Sequence, residues 1–237
     1  RHRPLLLAAR LKAGGWQAFD IAGVDARAPD LVQHNTCACA REPFAVKLVP
    51  NMSKVIAIDG PSGSGKSTVS RRVGDNLGFL HVDSGALYRI MTWQCLQHRI
   101  DTSDPDAVAA FAGRVNVTCE PRDGAVAFFV DGREPGNAIR TPEINRHASP
   151  VATVKAVRDR VTGWLRGMTR FGDLIVEGRD ITTAVFPESL ARFYLSASAD
   201  ARAQRRRKEE LEKGIACQTE EEVKASLLAR DAIDSTR

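Results

Sequence analysis

One glycine-rich run constrains the fold of this chain more than any other sequence feature. Residues 60–67 (GPSGSGKS) fit the pattern G-x-x-x-x-G-K-[S/T]. The preceding run, residues 54–59, is short, apolar and β-branched, which predicts a buried strand, and residues 67–77 predict a helix. A loop between a strand and a helix can wrap a phosphate with backbone N–H groups at the positive end of the helix dipole. The run therefore predicts an α/β fold that binds a nucleoside triphosphate.

The residue types of this loop suit ATP. Glycines let the backbone turn around a phosphate, Lys66 can reach the β- and γ-phosphates, and the Ser67 hydroxyl can ligate Mg²⁺. An ordinary glycine-rich turn is the alternative interpretation, and the strand and helix on either side count against it. The predicted ATP-binding residues are Gly60, Pro61, Ser62, Gly63, Ser64, Gly65, Lys66, Ser67 and Thr68.

Strand and helix patterns alternate along the chain after this loop. Short apolar runs predict buried strands at residues 79–82, 173–176 and 192–195. Helices are predicted from residue 83 to about 98 and from about 142 to 170, the second with a break near Pro150. Residues 115–119 and 125–130 predict an antiparallel hairpin. Alternating strands and helices indicate a parallel sheet with right-handed crossovers, so the predicted class is α/β with a hairpin insertion.

Composition narrows the class of protein further. The 237 residues carry a net charge of +5, and no apolar run is long enough for a membrane helix. This modest charge gives no reason to expect a nucleic-acid or membrane partner, and we expect a monomer. The five cysteines show no disulfide or metal-site spacing, which favours free thiols in the cytoplasm.

The chain divides near Met52. Residues 1–51 show no sustained helix or strand period, and we expect an N-terminal extension that is disordered or not native. The apolar run at residues 5–7 is too short for a secretory signal. Residues 52–237 are predicted to form the folded domain.

Several classes of phosphate-loop protein remain open at this point. A GTPase should carry an N-K-x-D motif, and the sequence has none. Residues 173–177 (DLIVE) superficially offer the strand and acid of a motor ATPase, but the motif GRD follows directly. A small kinase whose second substrate also carries phosphate needs arginines at several separated places, and this sequence has them.

Five motifs, in order, resemble the bacterial cytidylate kinase family. They are IDGPSGSGKS at residues 58–67, DSGALYR at 83–89, EGRDI with VFP at 177–187, RAQRR at 202–206 and RDAIDSTR at 230–237. The resemblance covers roughly residues 54–237. It implies a P-loop nucleoside-monophosphate (NMP) kinase fold with a parallel core, an NMP-binding insert at about 113–152 and a short helical lid at about 200–218. The implied reaction, in pyrimidine nucleotide metabolism, is transfer of the ATP γ-phosphoryl group to CMP or dCMP with Mg²⁺.

The resemblance also assigns residues to the acceptor and the lid. Residues 83–89 and 179–180 follow predicted strands at the sheet edge where open α/β proteins bind ligands. Asp180 is implied near the cytosine amino group, which a carboxylate can accept from and which uracil lacks. The alternative roles are helix capping for Asp83 or Ser84, surface ion pairs for the other Arg and Asp residues, and a solvated helix face for the arginines of the lid. The predicted NMP-binding residues are Asp83, Ser84, Arg89, Ser149, Arg158, Arg179, Asp180, Arg230, Asp234 and Arg237, and the lid residues are Arg202, Arg205 and Arg206.

Two departures from the family pattern leave alternatives open. Thr182 stands where the family usually has glycine, and it would be strained if that position required a positive φ. The family pattern also continues past residue 237, so we expect a C-terminally truncated domain without its last edge strand. The alternatives are a P-loop kinase with another acceptor, such as UMP or a small metabolite, and an inactive ATP-binding fragment.

Overall fold

Strands and helices alternate along the chain in the computed structural model, which describes residues 6–12, 15–17, 53–189, 191–212 and 219–234. The strands are β1 (Leu6–Lys12), β2 (Gly15–Gln17), β3 (Val55–Asp59), β4 (Leu80–Asp83), β5 (Val117–Arg122), β6 (Ala125–Val130), β7 (Leu174–Gly178) and β8 (Ala191–Ser196). The helices are α1 (Lys66–Leu77), α2 (Ser84–Gln97), α3 (Pro105–Ala112), α4 (Pro142–Thr153), α5 (Lys155–Gly167), α6 (Ala199–Glu212) and α7 (Glu220–Asp234).

One sheet joins all of these strands in the order β2-β1-β8-β3-β7-β4-β6-β5. Along this order, each pair of neighbouring strands from β1–β8 to β4–β6 is parallel. Of the described strand pairs, only β1–β2 and β5–β6, at the two ends of the sheet, are antiparallel. The predicted α/β class and the parallel core are therefore confirmed. Because parallel strands share one direction, β3, β4 and β7 all end at the same edge of the sheet, which is where the site is built.

The centre of the sheet is buried on both faces. Every residue of β7 is buried, as expected for a parallel strand covered by helices. Leu87, Ile90 and Met91 of α2 are fully buried in the same core as Val82 and Val176. In the described part of the chain, no helix is long and apolar enough to cross a membrane.

The hairpin predicted at residues 115–130 is confirmed, and it lies at one end of the main sheet. Strands β5 and β6 pair over six residues, and Asp123 and Gly124 make the turn between them with φ of 48° and 73°. Strand β6 also pairs with β4, where His81 is opposite Ala125. The strands of the predicted insert thus extend the sheet.

The helix predicted over residues 142–170 is two helices, and the break falls later than expected. Pro150 lies inside α4, and the chain turns at Val154, whose φ and ψ are −69° and 122°. Val154 ends α4 and precedes the first residue of α5. The extended conformation of one residue redirects the chain, whereas the proline is accommodated within the helix.

The sheet continues beyond β8 in a way that the sequence did not predict. Strand β1 lies parallel to β8, with Leu6 opposite Arg192 and Arg10 opposite Ser196. Residues 6–12 and 15–17 are therefore strands within a segment that was expected to be disordered or not native. Residues 1–5, 13–14 and 18–51 of the predicted extension lie outside the described residues, as does Met52, and the division between residues 51 and 52 stays a prediction.

Candidate active site

A cleft of about 1030 Å³ opens at the edge of the sheet where β3, β4 and β7 end. The phosphate loop, the residues that follow β4 and β7, and side chains of α4, α6 and α7 all contribute to its wall. Ligands of open α/β sheets bind at this edge. The predicted residues that line the cleft are Ser62, Gly63, Gly65, Lys66, Ser67, Thr68, Asp83, Ser84, Arg89, Ser149, Arg179, Asp180, Arg205, Arg206, Arg230 and Asp234.

Glycine is required at both ends of the phosphate loop. A Cβ atom on Gly60 would lie 2.0 Å from the carbonyl oxygen of Leu195, so no larger residue fits. Gly65 has a φ of 95° and caps α1 without any side-chain hydrogen bond. The first turn of α1 also carries no acidic residue, so its N–H groups are available to an anion.

Lys66 is buried at the base of this loop. Its ammonium group donates to the carbonyl oxygens of Gly60, at 2.7 Å, and Pro61, at 2.8 Å. Burial, and after it the guanidinium of Arg179, lower the pKa of Lys66 to about 7, although nearby carboxylates oppose the shift. A phosphate that entered the loop would add negative charge next to the ammonium group and would raise its pKa.

The end of β4 positions a second group of charges. Asp83 caps α2 by accepting from the N–H of Ala86, and it also pairs with Arg89 at 2.7 Å and with Arg140 at 3.5 Å. Burial would raise the pKa of Asp83, but the two arginines outweigh it and lower the pKa to about 2. Asp83 therefore stays ionised and fixes Arg89 at the wall of the cleft.

The residues that follow β7 make two further ion pairs across the site. Asp180 accepts from Arg158 of α5 at 2.9 Å, and Arg179 donates to Asp234 of α7 at 2.9 Å. Arg230, half-buried on α7, has its pKa lowered to about 10, first by burial and then by Arg179. These arginines repel each other, and a phosphate between them would relieve the repulsion.

The sequence itself matches the family model for cytidylate kinase over residues 56–237, more than three-quarters of the chain. The chain belongs to the cytidylate kinase family. It is 39% identical over 182 residues to the cytidylate kinase of Limosilactobacillus fermentum and 38% identical over 182 residues to that of Shouchella clausii. Each of these alignments covers 77% of this chain and 80% of the relative.

Longer relatives also match. The bifunctional pantoate ligase/cytidylate kinase of a Synechococcus strain is 38% identical over 212 residues, which cover 88% of this chain but 38% of the relative. Among solved structures, the crystal structure of TT1252 from Thermus thermophilus aligns with 77% of this chain and 80% of that chain at 19% identity, with a TM-score of 0.35. Membership of the family rests on the sequence matches alone.

Not every residue predicted for the site lines the cleft of this kinase. Arg158 reaches it only through Asp180. Arg202 is buried, pairs with Asp231 of α7 at 2.6 Å and donates to the carbonyl oxygen of Ser62. Its side chain therefore ties α6 to α7 and to the phosphate loop, whereas Arg205 and Arg206, in the next turn of α6, line the cleft. Gly60, Pro61 and Ser64 belong to the loop but lie outside the cleft wall, and Arg237 lies outside the described residues.

The cleft also contains residues that the predicted site did not include, four of which lie within the family motifs. They are Arg71, Arg72, Gly85, Tyr88, Arg140, Ala148, Ala152, Glu177, Gly178 and Lys208. Arg71 and Arg72 lie one turn beyond Ser67 on α1, so helical spacing from the phosphate loop could have identified them. Glu177 is the penultimate residue of β7, and its position near the end of a buried strand was the signal that could have identified it.

We expect nucleotide binding by this kinase to take up a proton above neutral pH. Before nucleotide binds, a lysine of pKa about 7 is roughly nine-tenths neutral at pH 8, and a bound phosphate should restore its charge. Uptake should approach one proton per site at pH 8 and fall towards zero at pH 6. Calorimetric titration with ADP in buffers of different ionisation enthalpy measures this number, and Lys66→Met is the control whose proton exchange reports the ADP phosphate alone and is subtracted.

Proposed function

We propose that this chain transfers the γ-phosphoryl group of ATP to CMP or dCMP, giving ADP and CDP or dCDP. One observation carries the proposal: the phosphate loop with Lys66 and the acceptor residues Arg179 and Asp180 line the same cleft. A kinase must hold donor and acceptor side by side because its two phosphates react directly. Membership of the cytidylate kinase family supports the same reaction.

The charges of the cleft suit two polyanions. Phosphoryl transfer requires little covalent chemistry from the protein, and most of the rate enhancement comes from positioning and from neutralising the transferred group. An oxygen of the acceptor phosphate attacks the γ-phosphorus, and the bond from that phosphorus to the β–γ bridging oxygen breaks. The acceptor phosphate is already an anion, so no side chain need remove a proton. Lys66, Arg205 and Arg206 would hold the donor, and Arg89, Arg179 and Arg230 would hold the acceptor phosphate.

Asp180 supports the choice of a cytosine acceptor. Its carboxylate lines the cleft, and Arg158 pairs with only one of its oxygens, Oδ2. The other oxygen can accept from an exocyclic amino group. Cytosine has that group, and uracil has a carbonyl that the carboxylate would repel.

The donor set of the cleft fits Mg²⁺ that enters with ATP. In the described part of the chain, no three His, Cys, Asp or Glu side chains form a group that could hold a metal by themselves. Mg²⁺ in nucleotide sites takes one or two protein oxygens and completes its shell with phosphates and water. The Ser67 hydroxyl and the Glu177 carboxylate both line the cleft and could supply those oxygens. When bound, the ion would offset charge on the β- and γ-phosphates.

We also propose that this kinase is a monomer and that it acts in the cytoplasm. The thiols of Cys95 and Cys119 are free, and burial raises the pKa of Cys95 to about 11, so this thiol is unreactive at neutral pH. CMP or dCMP and ATP are the partners that we propose.

The test is ADP release from Mg·ATP by the purified chain with CMP, dCMP, UMP, AMP or no acceptor in parallel. We expect release with the cytidine acceptors at rates at least tenfold above UMP, since a hydrogen bond to a charged group discriminates by that order. Release with UMP or AMP alone would make the chain a kinase of another acceptor. ATP binding by calorimetry without release to any acceptor would identify an inactive nucleotide-binding fragment.

A further inference from the structure

A buried carboxylate connects the phosphate loop, on the donor side of the cleft, to the segment that follows β7, on the acceptor side. Asp59, the last residue of β3, is only 2% exposed. Its Oδ1 accepts from the backbone N–H of Ile181 at 2.9 Å, and its Oδ2 accepts from both the N–H and the hydroxyl of Thr182, at 2.8 and 2.6 Å. Hydrogen bonds to a carboxylate are about twice as strong as those between neutral groups, so Asp59 holds Ile181 and Thr182 tightly.

Because of where these three residues lie in the chain, the contact connects the phosphate loop to the acceptor residues. Asp59 directly precedes the phosphate loop, while Ile181 and Thr182 directly follow Asp180. The carboxylate therefore sets the distance between the donor loop and the acceptor side chains. It also holds the start of the segment Ile181–Val185, which folds back so that the N–H groups of Ala184 and Val185 donate to the carbonyl oxygen of Asp180.

Thr182 fits this position without strain. Within the described residues, the non-glycine residues of positive φ are Arg99, Asp123 and Asp131, so Thr182 has an ordinary φ. The strain that a positive φ would have caused does not arise. Its carbonyl oxygen also accepts from Arg192, so both the side chain and the backbone of Thr182 are held.

We propose that Thr182 is a positioning residue for the nucleoside-monophosphate acceptor, acting through Asp59. Its hydroxyl fixes the acceptor segment to the end of β3 and so holds Asp180 and Arg179 where the base and the phosphate of the acceptor bind. A glycine at this position, which the family resemblance leads one to expect, would lack that hydroxyl. The inference rests on the proposed function for its substrate, but the contact between the two loops is independent of it.

The experiment compares Thr182→Val, Thr182→Ser and Thr183→Val. Valine keeps the shape and removes the hydroxyl, serine keeps the hydroxyl, and Thr183 is an exposed threonine in the same segment whose hydroxyl makes only a 3.5 Å contact. For Thr182→Val we expect the KM for CMP to rise by about three- to tenfold, less than the tenfold or more of a direct hydrogen bond to a charged group, because the hydroxyl acts on the acceptor only through the segment that it holds. The KM for ATP should change by less than about twofold, because the phosphate loop keeps its own contacts. Thr182→Ser should restore the KM for CMP, and Thr183→Val should leave it unchanged.

Hydrogen exchange supplies a readout that does not depend on turnover. Amides of residues 179–186 should exchange faster in Thr182→Val than in the wild type, and at the wild-type rate in Thr182→Ser. An unchanged exchange rate in Thr182→Val would overturn the proposal, as would an equal rise of both KM values together with a lower Tm. If the wild type did not turn over CMP, the proposed function would fail, and the exchange rates would still decide whether Thr182 holds the segment.

Discussion

Lys66→Met is expected to lower kcat by about a hundred- to a thousandfold, the usual effect of removing one group that stabilises charge in the transition state. Methionine keeps most of the aliphatic stem and removes the ammonium group. That group lies at the base of the phosphate loop, and Lys66 is only 6% exposed. Steady-state ADP release with saturating CMP measures the loss, and the KM for ATP should rise in parallel.

Stability separates this loss from unfolding. The pKa of Lys66 in the folded chain is about 7, below its ordinary value of 10.5. The unfolded chain therefore binds more protons than the folded chain between these values, so the folded state bears the cost of the buried charge in full below pH 7 and progressively less as the pH rises to 10.5. Removing the charge should leave the Tm at pH 7 at or above that of the wild type. A Tm many degrees lower would mean that the lost activity reflects a damaged fold.

Lys54→Met is the matched control. It makes the same replacement at an exposed lysine that immediately precedes β3, at the opposite end of that strand from the phosphate loop. We expect full activity and a Tm within the range of ordinary surface substitutions. An equal loss of activity in both variants would contradict the role of Lys66.

The sequence predicted the structure correctly where the pattern lay within a single strand, loop or helix. The apolar run of residues 54–59 and the glycines that follow it are local patterns, and β3, the phosphate loop and α1 appear where they were predicted. The hairpin turn at Asp123 and Gly124 was predictable for the same reason, since both residue types tolerate positive φ. These features depend on backbone conformations that neighbouring residues determine.

The contacts that hold the site together could not be predicted in this way. Arg179 and Asp234 are 55 residues apart, and their pairing depends on how α7 packs against α4 and α6. Arg202 belongs to the same basic run as Arg205, yet the rotation of α6 buries it against Asp231. Residues 6–12 form a strand that pairs with β8, which lies near the other end of the chain. Each case depends on a distant element that no local pattern specifies.

Asp180→Asn is expected to remove most of the preference for cytidine acceptors. The amide has the same shape as the carboxylate but lacks its charge, and its nitrogen can donate to the carbonyl of uracil. We expect kcat/KM for CMP to fall by about ten- to a hundredfold, and the ratio of CMP to UMP to fall with it, because one charge-assisted hydrogen bond discriminates by that order. Activity assays with CMP and UMP at equal concentrations measure the ratio.

The control must account for the lost ion pair with Arg158, which lies 2.9 Å from Asp180. Asp159→Asn makes the same change at an exposed carboxylate, which pairs with Lys155 on the solvent side of α5. That variant should keep the wild-type ratio, because exposed ion pairs contribute little. Arg158→Met then removes the partner of Asp180 and leaves the carboxylate in place. It should raise the KM for CMP through looser positioning while CMP stays preferred over UMP. A preference lost equally in Arg158→Met and Asp180→Asn would show that the ion pair, rather than the carboxylate oxygen that faces the base, selects the acceptor.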